Sequence, residues 1–233
     1  MNQYLHPIRI LVAVDCIIFG FDGQELKLLV IERALEPFKG QWSLVGGFVD
    51  ENESLSDASS RVLKKMTGLD GVFMEQLHTF GNPRRDTLER TISVAYYALI
   101  DIHTYEMQLS DEYKAEWFSL NKLPQLIFDH NKMVQLARQQ LRYKAALHPI
   151  LFELLPPKFT IPQLLNLYEG VYDSNFDKRN FSRKVLSTNL LVKQKDKEKE
   201  TSKKGAYYYK LNKKKYKDKI HSFLNFIPNP DKY

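Results

Sequence analysis

Cysteine is almost missing from this chain: Cys16 is the only one in 233 residues. One thiol excludes a disulfide framework, and its place inside the apolar run "ILVAVDCIIFGF" marks it as a buried, unreactive side chain. Long hydrophobic runs are missing too. Asp15 interrupts that same run well short of the roughly 18 apolar residues that span a bilayer, and the opening "MNQYLHPIRI" lacks the charged-then-apolar order of a secretion signal. A soluble, cytoplasmic protein with no membrane partner is expected. The six histidines are scattered without ligand spacing, so neither a metal site nor another cofactor is expected. No segment repeats, and the only compositionally biased stretch is a lysine-rich one near residue 200.

What is present is ordinary globular material. Apolar residues make up 43% of the chain, enough to build one good-sized domain and a small one. The net charge of +6 is unevenly placed. From Asp177 to Lys219 there are 16 Lys and Arg against 5 Asp and Glu, a net of +11 that leaves the rest of the chain at −5. An acidic body therefore carries a basic end.

The first body reads as mixed strands and helices. Residues 10–19 and 26–32 are apolar and β-branched, and the Asp22-Gly23 turn between them signals an antiparallel hairpin. A short strand "WSLV" leads to Gly46-Gly47. A helix then runs from about Ser54 to Thr67, with Ser54 or Ser56 as N-cap and Gly68 as the left-handed cap. Strands follow in "VFMEQLHTF", "RTISVAYYALI" and "AEWFSL", and a long helix from about His130 to Leu147 takes Asp129 as its N-cap. Helices on both sides of mixed strands predict an α/β/α sandwich. Near residue 150 the pattern changes, and Pro149, Pro156 and Pro157 bracket "ILFELL" as a hinge.

The second body is smaller. Thr160 and Gln163 form a capping box that opens the helix "TIPQLLNLYEGVY", and Asp177 caps a second helix, "DKRNFSRKVLSTNL". The stretch "LLVKQKDKEKETSKKGAYYYKL" then reads as a hairpin with a charged tip. Helix, turn, helix and hairpin make a winged helix. In the second of these helices Phe181 and Val185 fall within about 40° of each other at 100° per residue, with Arg179 and Arg183 roughly opposite. The candidate DNA-reading residues are Lys178, Arg179, Asn180, Ser182, Arg183 and Lys184, joined by Lys203 and Lys204 at the wing tip. The run "NKKKYKDK" offers further phosphate contacts.

The stretch from Gly46 to Leu69, "GGFVDENESLSDASSRVLKKMTGL", resembles a Nudix box, the signature of hydrolases that cleave nucleoside diphosphates linked to another group. Gly47, Glu53, Arg61, Leu63, Gly68 and Leu69 keep its register. The three glutamates that would hold Mg²⁺ fall on Val62, Lys65 and Met66, at i, i+3 and i+4 of one helix. Valine and methionine offer no oxygen to Mg²⁺, and the Lys65 ammonium repels it. The site is expected to be catalytically silent.

Together with "FGNPRRDTLERTISVAYYAL", "WFSLNKLPQLIFDH", "FTIPQLLNLYEGVY", "DKRNFSRKVL" and the terminal hairpin, the chain resembles Nudix-related transcriptional regulators. The fold class expected is α+β: a Nudix-like α/β/α sandwich over residues 1–150, then a winged helix-turn-helix over 151–233. The resemblance implies a homodimeric repressor on a near-palindromic double-stranded operator. It runs closest to the sugar-responsive branch, so the expected effector is a pentose such as L-arabinose that releases the DNA. The alternatives are a regulator of NAD metabolism sensing ADP-ribose, an active Nudix hydrolase of ADP-ribose type, and a nucleic-acid adaptor with no effector.

Candidate effector-binding residues are Asp15, Arg33, Trp42, Phe48, Glu53, Arg85 and Tyr97, which flank the box or lie on strands leading to it. Trp42 and Phe48 also suit packing, and Arg61 suits pairing with Glu53. Asp15, an acid in an apolar strand, needs a partner once buried. Arg84, Arg85 and Arg90 suit either phosphate binding or ion pairs.

Overall fold

The structure is a computed structural model that describes residues 9–34, 36–105, 113–199, 205–212 and 214–215. Its sheet begins with β1 (Leu11–Phe21) and β2 (Leu26–Glu32). Asp22 turns the chain between them by accepting the amide N–H groups of Gln24 and Glu25 at 2.9 and 2.8 Å. The strand expected in "WSLV" divides into β3 (Trp42–Ser43) and β4 (Val45–Phe48). Helix α1 (Leu55–Thr67) follows, closed by Gly68 at φ 73°, a backbone region that side chains with a Cβ rarely enter. Its cap is Ser54, in a full capping box with Asp57.

Strand β5 (Glu75–Phe80), β6 (Thr91–Asp101), the short α2 (Ile102–Tyr105), β7 (Ala115–Ser119) and α3 (His130–Leu147) complete the first body. The strand order is β3-β2-β1-β6-β5, with β4 alongside the first half of β1 and β7 alongside β2. β1 and β6 run parallel along their whole length, from Leu11 opposite Thr91 to Phe21 opposite Asp101.

Because successive strand residues point to opposite faces, β1 feeds two cores. Val14, Cys16 and Ile18 pack with Ala58, Val62 and Leu63 of α1. Ile17, Phe19 and Phe21 pack with Met133, Ala137 and Leu141 of α3. The sandwich is therefore present, with one helix layer on each side of the sheet. Burial in the first layer pushes the Cys16 thiol up, away from the reactive thiolate. Among the described residues no helix is long and apolar enough to cross a membrane.

The second body contains β8 (Phe159–Thr160), α4 (Ile161–Tyr172), α5 (Lys178–Ser187), β9 (Leu191–Glu198) and β10 (Ala206–Leu211), with sheet order β8-β10-β9. Thr160 and Gln163 form the expected capping box, and the Asp177 carboxylate accepts the Asn180 N–H at 2.7 Å. This is the winged helix, and both motifs sit where their capping residues placed them.

The segment expected as a hinge near Pro149 is a packed turn. Residues Ile150–Leu154 form a 3-10 helix whose Leu151 and Leu154 are fully buried. They belong to the same core as Phe19 and Leu141 on one side and Leu164, Tyr168 and Phe181 on the other. Polar ties reinforce the join: Arg142 donates through Nε to the Val171 carbonyl at 2.7 Å, and the Tyr172 hydroxyl donates to the Arg142 carbonyl at 3.2 Å. Prolines flank this segment, but two leucines anchor it.

Candidate functional site

A cavity of about 450 Å³ opens over β1, β3 and β4 beside the Nudix-like loop. Its floor is polar and its walls are apolar. Asp15 of β1 is only 5% exposed, and three groups surround its carboxylate. The Ser93 hydroxyl donates to Oδ2 at 2.5 Å, the Arg85 Nη2 lies 3.5 Å from Oδ2, and His130 Nε2 lies 3.5 Å from Oδ1. A Cβ on Gly46 would collide with the Asp15 carboxylate, so only glycine lets β4 lie against β1 here. Buried charge is tolerated only when paired in this way.

Arg85 is also buried and serves two carboxylates. Besides Asp15, it donates from Nη2 to Asp129 Oδ1 at 2.9 Å and from Nε to Asp129 Oδ2 at 3.2 Å. Asp129 is the N-cap residue of α3, as expected, but its side chain makes no cap bond because it is taken by Arg85.

His130 stands next along, with its Nδ1 accepting the Leu44 N–H at 3.2 Å. An accepting Nδ1 carries no hydrogen, so the ring proton is on Nε2, facing Asp15. Burial holds this imidazole below the ordinary histidine value, with the Asp15 charge opposing the shift in part.

Of the seven candidate effector residues, Asp15, Arg33, Phe48 and Arg85 line this one cavity. Arg33 donates from Nε to the Pro37 carbonyl at 2.7 Å. The other three lie elsewhere, each for a visible reason. Trp42 packs edge-on against Phe118, their ring centroids 4.8 Å apart. Glu53 turns back to Arg61, which donates from Nε at 2.8 Å and from Nη2 at 2.5 Å. Those bonds pull the Glu53 carboxyl down to about 2. Tyr97 faces the opposite layer and donates to Glu75 at 3.0 Å. It lines a larger, more open cleft of about 1200 Å³ between the sandwich and the winged helix. Arg84 is exposed, and Arg90 bonds the Thr91 and Gly81 carbonyls.

Sequence reasoning missed His130, Ser43, Phe128 and Met66, which also line the Asp15 cavity. His130 carried a signal, an imidazole beside the helix-starting Asp129, but its partner Leu44 lies 86 residues away. The residues at the former metal positions do not fit a metal. Val62 is buried in the α1 core, Lys65 is exposed and Met66 adds apolar surface to the cavity wall. Among the described residues, no group of three His, Cys, Asp or Glu has a metal-holding arrangement.

At the other end of the molecule, α5 packs through Phe181 and Val185 and exposes Lys178, Arg179, Asn180, Arg183 and Lys184. Arg183 is held by Asn180, Nη2 to Oδ1 at 2.7 Å. Ser182 is half-buried and donates to the Lys178 carbonyl at 2.7 Å, so its hydroxyl hydrogen is spent on its own helix. Lys203 and Lys204 lie outside the described residues.

A Nudix-type sandwich joined in one chain to a winged helix with an outward basic helix defines a two-domain DNA-binding protein. Comparison with known proteins agrees for both parts. The NUDIX domain model matches residues 9–139, and the model of the NrtR DNA-binding winged helix domain matches residues 151–211. The chain belongs to the family that joins these two domains, the NrtR-type transcriptional regulators.

The chain is 33% identical over 205 residues to the ADPR responsive transcriptional repressor NtrR of Acinetobacter baylyi, covering 86% of this chain and 82% of that protein. The structure of Shewanella oneidensis NrtR complexed with a 27mer DNA is similar at a TM-score of 0.72 and 32% identity, covering 86% of this chain and 93% of the other. The NUDIX domain of the same Shewanella protein, crystallised with ADP ribose, is similar at a TM-score of 0.51 and 33% identity. That match covers 58% of this chain and 90% of the other.

These matches overturn the sugar reading. The relative aligned over both domains responds to ADPR, and the similar NUDIX domain was crystallised with ADP ribose, not with a pentose. The arabinose-type branch is not supported. No side chain at the site carries a preference for a sugar. That the chain is not an enzyme agrees with the repressor relative and with Val62, Lys65 and Met66.

Proposed function

We propose that this protein is a transcriptional repressor that holds operator DNA through α5 and binds ADP-ribose, or a closely related nucleoside diphosphate, in the cavity around Asp15. The observation that supports this reading most directly is the cavity itself. It keeps the Nudix-type loop and a buried charged floor, while the helix beside it supplies valine, lysine and methionine instead of metal ligands. A ligand can be held there without being cleaved. The shared core gives the cavity a mechanical path to the winged helix, since Asp129, at the cap position of α3, lies beside the floor and α3 packs later along its length against α4.

Binding of the effector weakens DNA binding in this reading, and the protein acts as a cytoplasmic homodimer on a near-palindromic duplex. The test is a fluorescence-anisotropy titration of an operator duplex with and without ADP-ribose, using AMP and ribose 5-phosphate as comparison ligands. ADP-ribose is expected to weaken DNA binding and, by linkage, DNA to weaken ADP-ribose binding by the same factor. An operator affinity unchanged by saturating ADP-ribose refutes the sensor role. Sedimentation of the free protein and of its complex tests the dimer.

A further inference from the structure

We infer that the cleft between the sandwich and the winged helix is a docking groove for the chain's own tail, with Ile220, Phe223, Leu224 and Ile227 seated on its apolar wall. This docking does not depend on which effector or which DNA the protein binds.

Both bodies build the cleft, whose volume is about 1200 Å³. The sandwich contributes β6, α2 and the residues before β5, the winged helix contributes β9 and β10, and Ile150 and Phe152 join the two. This lining leaves apolar surface in water. Phe73 is 85% exposed and Val192 46% exposed, while Tyr105, Ile150 and Phe152 are only partly covered. Single exposed apolar residues are ordinary, but several lining one cleft mark a place where another apolar surface sits. Acids stand among them. The Asp101 carboxylate accepts the His103 N–H at 3.2 Å and the Thr104 hydroxyl at 3.1 Å, and Glu153 is exposed at the same cleft. Among the described residues, no cation pairs with Asp101 or Glu153.

The chain leaves β10 within this cleft. Leu211 and Asn212 both line it, and the Asn212 N–H is fixed to the Leu190 carbonyl at 2.7 Å. Residues 216–233 lie outside the described residues, and the winged helix domain model ends at residue 211. The tail therefore lies beyond that domain but starts at the groove.

Its sequence has two parts, and each suits one feature of the lining. Residues 213–219, "KKKYKDK", hold five lysines and one aspartate, a basic lead complementary to Asp101 and Glu153. Ile220, Phe223, Leu224 and Ile227 follow at i, i+3, i+4 and i+7. That is the spacing by which a helix lays one apolar side into a groove. Pro228 comes next and breaks it. An extended residue covers at most about 3.6 Å, so the stretch from Asn212 to Ile220 reaches up to about 29 Å, ample for a groove whose lining begins at Leu211. So short a tether holds the stripe beside the cleft at an effective concentration on the order of 1 mM. DNA phosphates could use the lysines, but they offer nothing to the four apolar side chains.

The test uses the full chain with paired cysteines, since the native thiol Cys16 is buried. Phe73→Cys with Phe223→Cys puts one thiol in the cleft and one on the tail. Phe48→Cys with Phe223→Cys is the comparison, because Phe48 is 54% exposed at the other cavity. With a short bis-maleimide and no DNA, the first pair is expected to link within one chain and the second is not, read by mass spectrometry of digests. Thermal melts verify folding. A second measurement uses a labelled peptide of residues 213–233. It is expected to bind the full-length double variant Phe223→Ser, Leu224→Ser at least about tenfold more tightly than the wild type, whose own tail fills the groove. A link between two chains makes a second copy the occupant and overturns the inference. Equal linking of both pairs shows a tail without a seat and also overturns it. Equal peptide binding by wild type and double variant overturns it whatever the thiols do.

Discussion

The Arg85 guanidinium lies against the Asp129 carboxylate in a two-pronged pair at 2.9 and 3.2 Å, and this ties the loop before β6 to the first turn of α3. The residue best placed to cap α3 holds an arginine instead. Asp15 adds a second carboxylate to the same guanidinium at 3.5 Å, so one cation on the cavity floor balances acids from two separate elements. Any ligand group that draws Arg85 toward itself must also loosen the start of α3.

Removing that cation leaves the buried Asp15 and the half-buried Asp129 unbalanced. Arg85→Met is expected to lower unfolding stability by roughly 3–5 kcal/mol, the usual cost of orphaning a buried ion pair. Urea denaturation measures it. A loss under about 1 kcal/mol would show that the pair is not the electrostatic anchor described here.

His130 predicts a pH dependence with a definite sign. Its folded-state value lies below the ordinary 6.5 because the ring is buried. The unfolded chain therefore binds this proton first as pH falls. The stability that neutral His130 contributes is full above about pH 6.5 and is lost progressively as pH drops through the folded value. His130→Gln is expected to flatten the stability profile over that acidic window. The same decline in the variant and the wild type, in paired urea titrations, would assign it to other groups.

Catalytic silence follows from Val62, Lys65 and Met66. With Mg²⁺ or Mn²⁺ present, purified protein is expected to release no AMP from ADP-ribose above the buffer rate. Turnover that disappears in Glu53→Gln would instead mean that the loop acids recruit a metal by another route.

On α5, Arg179 and Arg183 are exposed on the face opposite Phe181 and Val185. Replacing either with alanine is expected to cost about 1–3 kcal/mol per half-site and to relax base preference at particular positions. The readout is the ratio of operator to scrambled-duplex affinity. A ratio preserved in both variants removes α5 from sequence reading.

Much of this structure was legible because it depends on local chemistry. Ser54, Thr160 and Asp177 cap the helices they precede, Gly68 takes the left-handed turn, and the alternation of β1 places Cys16 and Ile17 on opposite faces. Those signals act over one to four residues. The cavity floor was legible only in part, because Asp15 announced its need for a partner but its partners are 70 or more residues away. His130 and Asp129 looked like an ordinary helix start, since nothing nearby shows that Arg85 arrives from a distant loop. Trp42, Glu53 and Tyr97 were expected at the site because they flank the box or lie on strands leading to it, and strand alternation or a nearby arginine turns each of them elsewhere. The effector class was illegible for a related reason. Pocket polarity comes from residues that the sheet brings together from distant parts of the chain, and no local motif names their ligand.

The buried Leu151 and Leu154 also bear on how such a protein can be taken apart. A winged helix that completes its hydrophobic interior with leucines from the linker and phenylalanines from the sandwich is not a detachable module. Cut from its neighbour near residue 150, it would carry a raw apolar surface into water, and so would the sandwich left behind. Heating the intact chain should therefore give one calorimetric transition for both parts. A chimera that transplants this reading head onto a foreign sensor must bring the Ile150–Leu154 turn and a matching sheet face along with it.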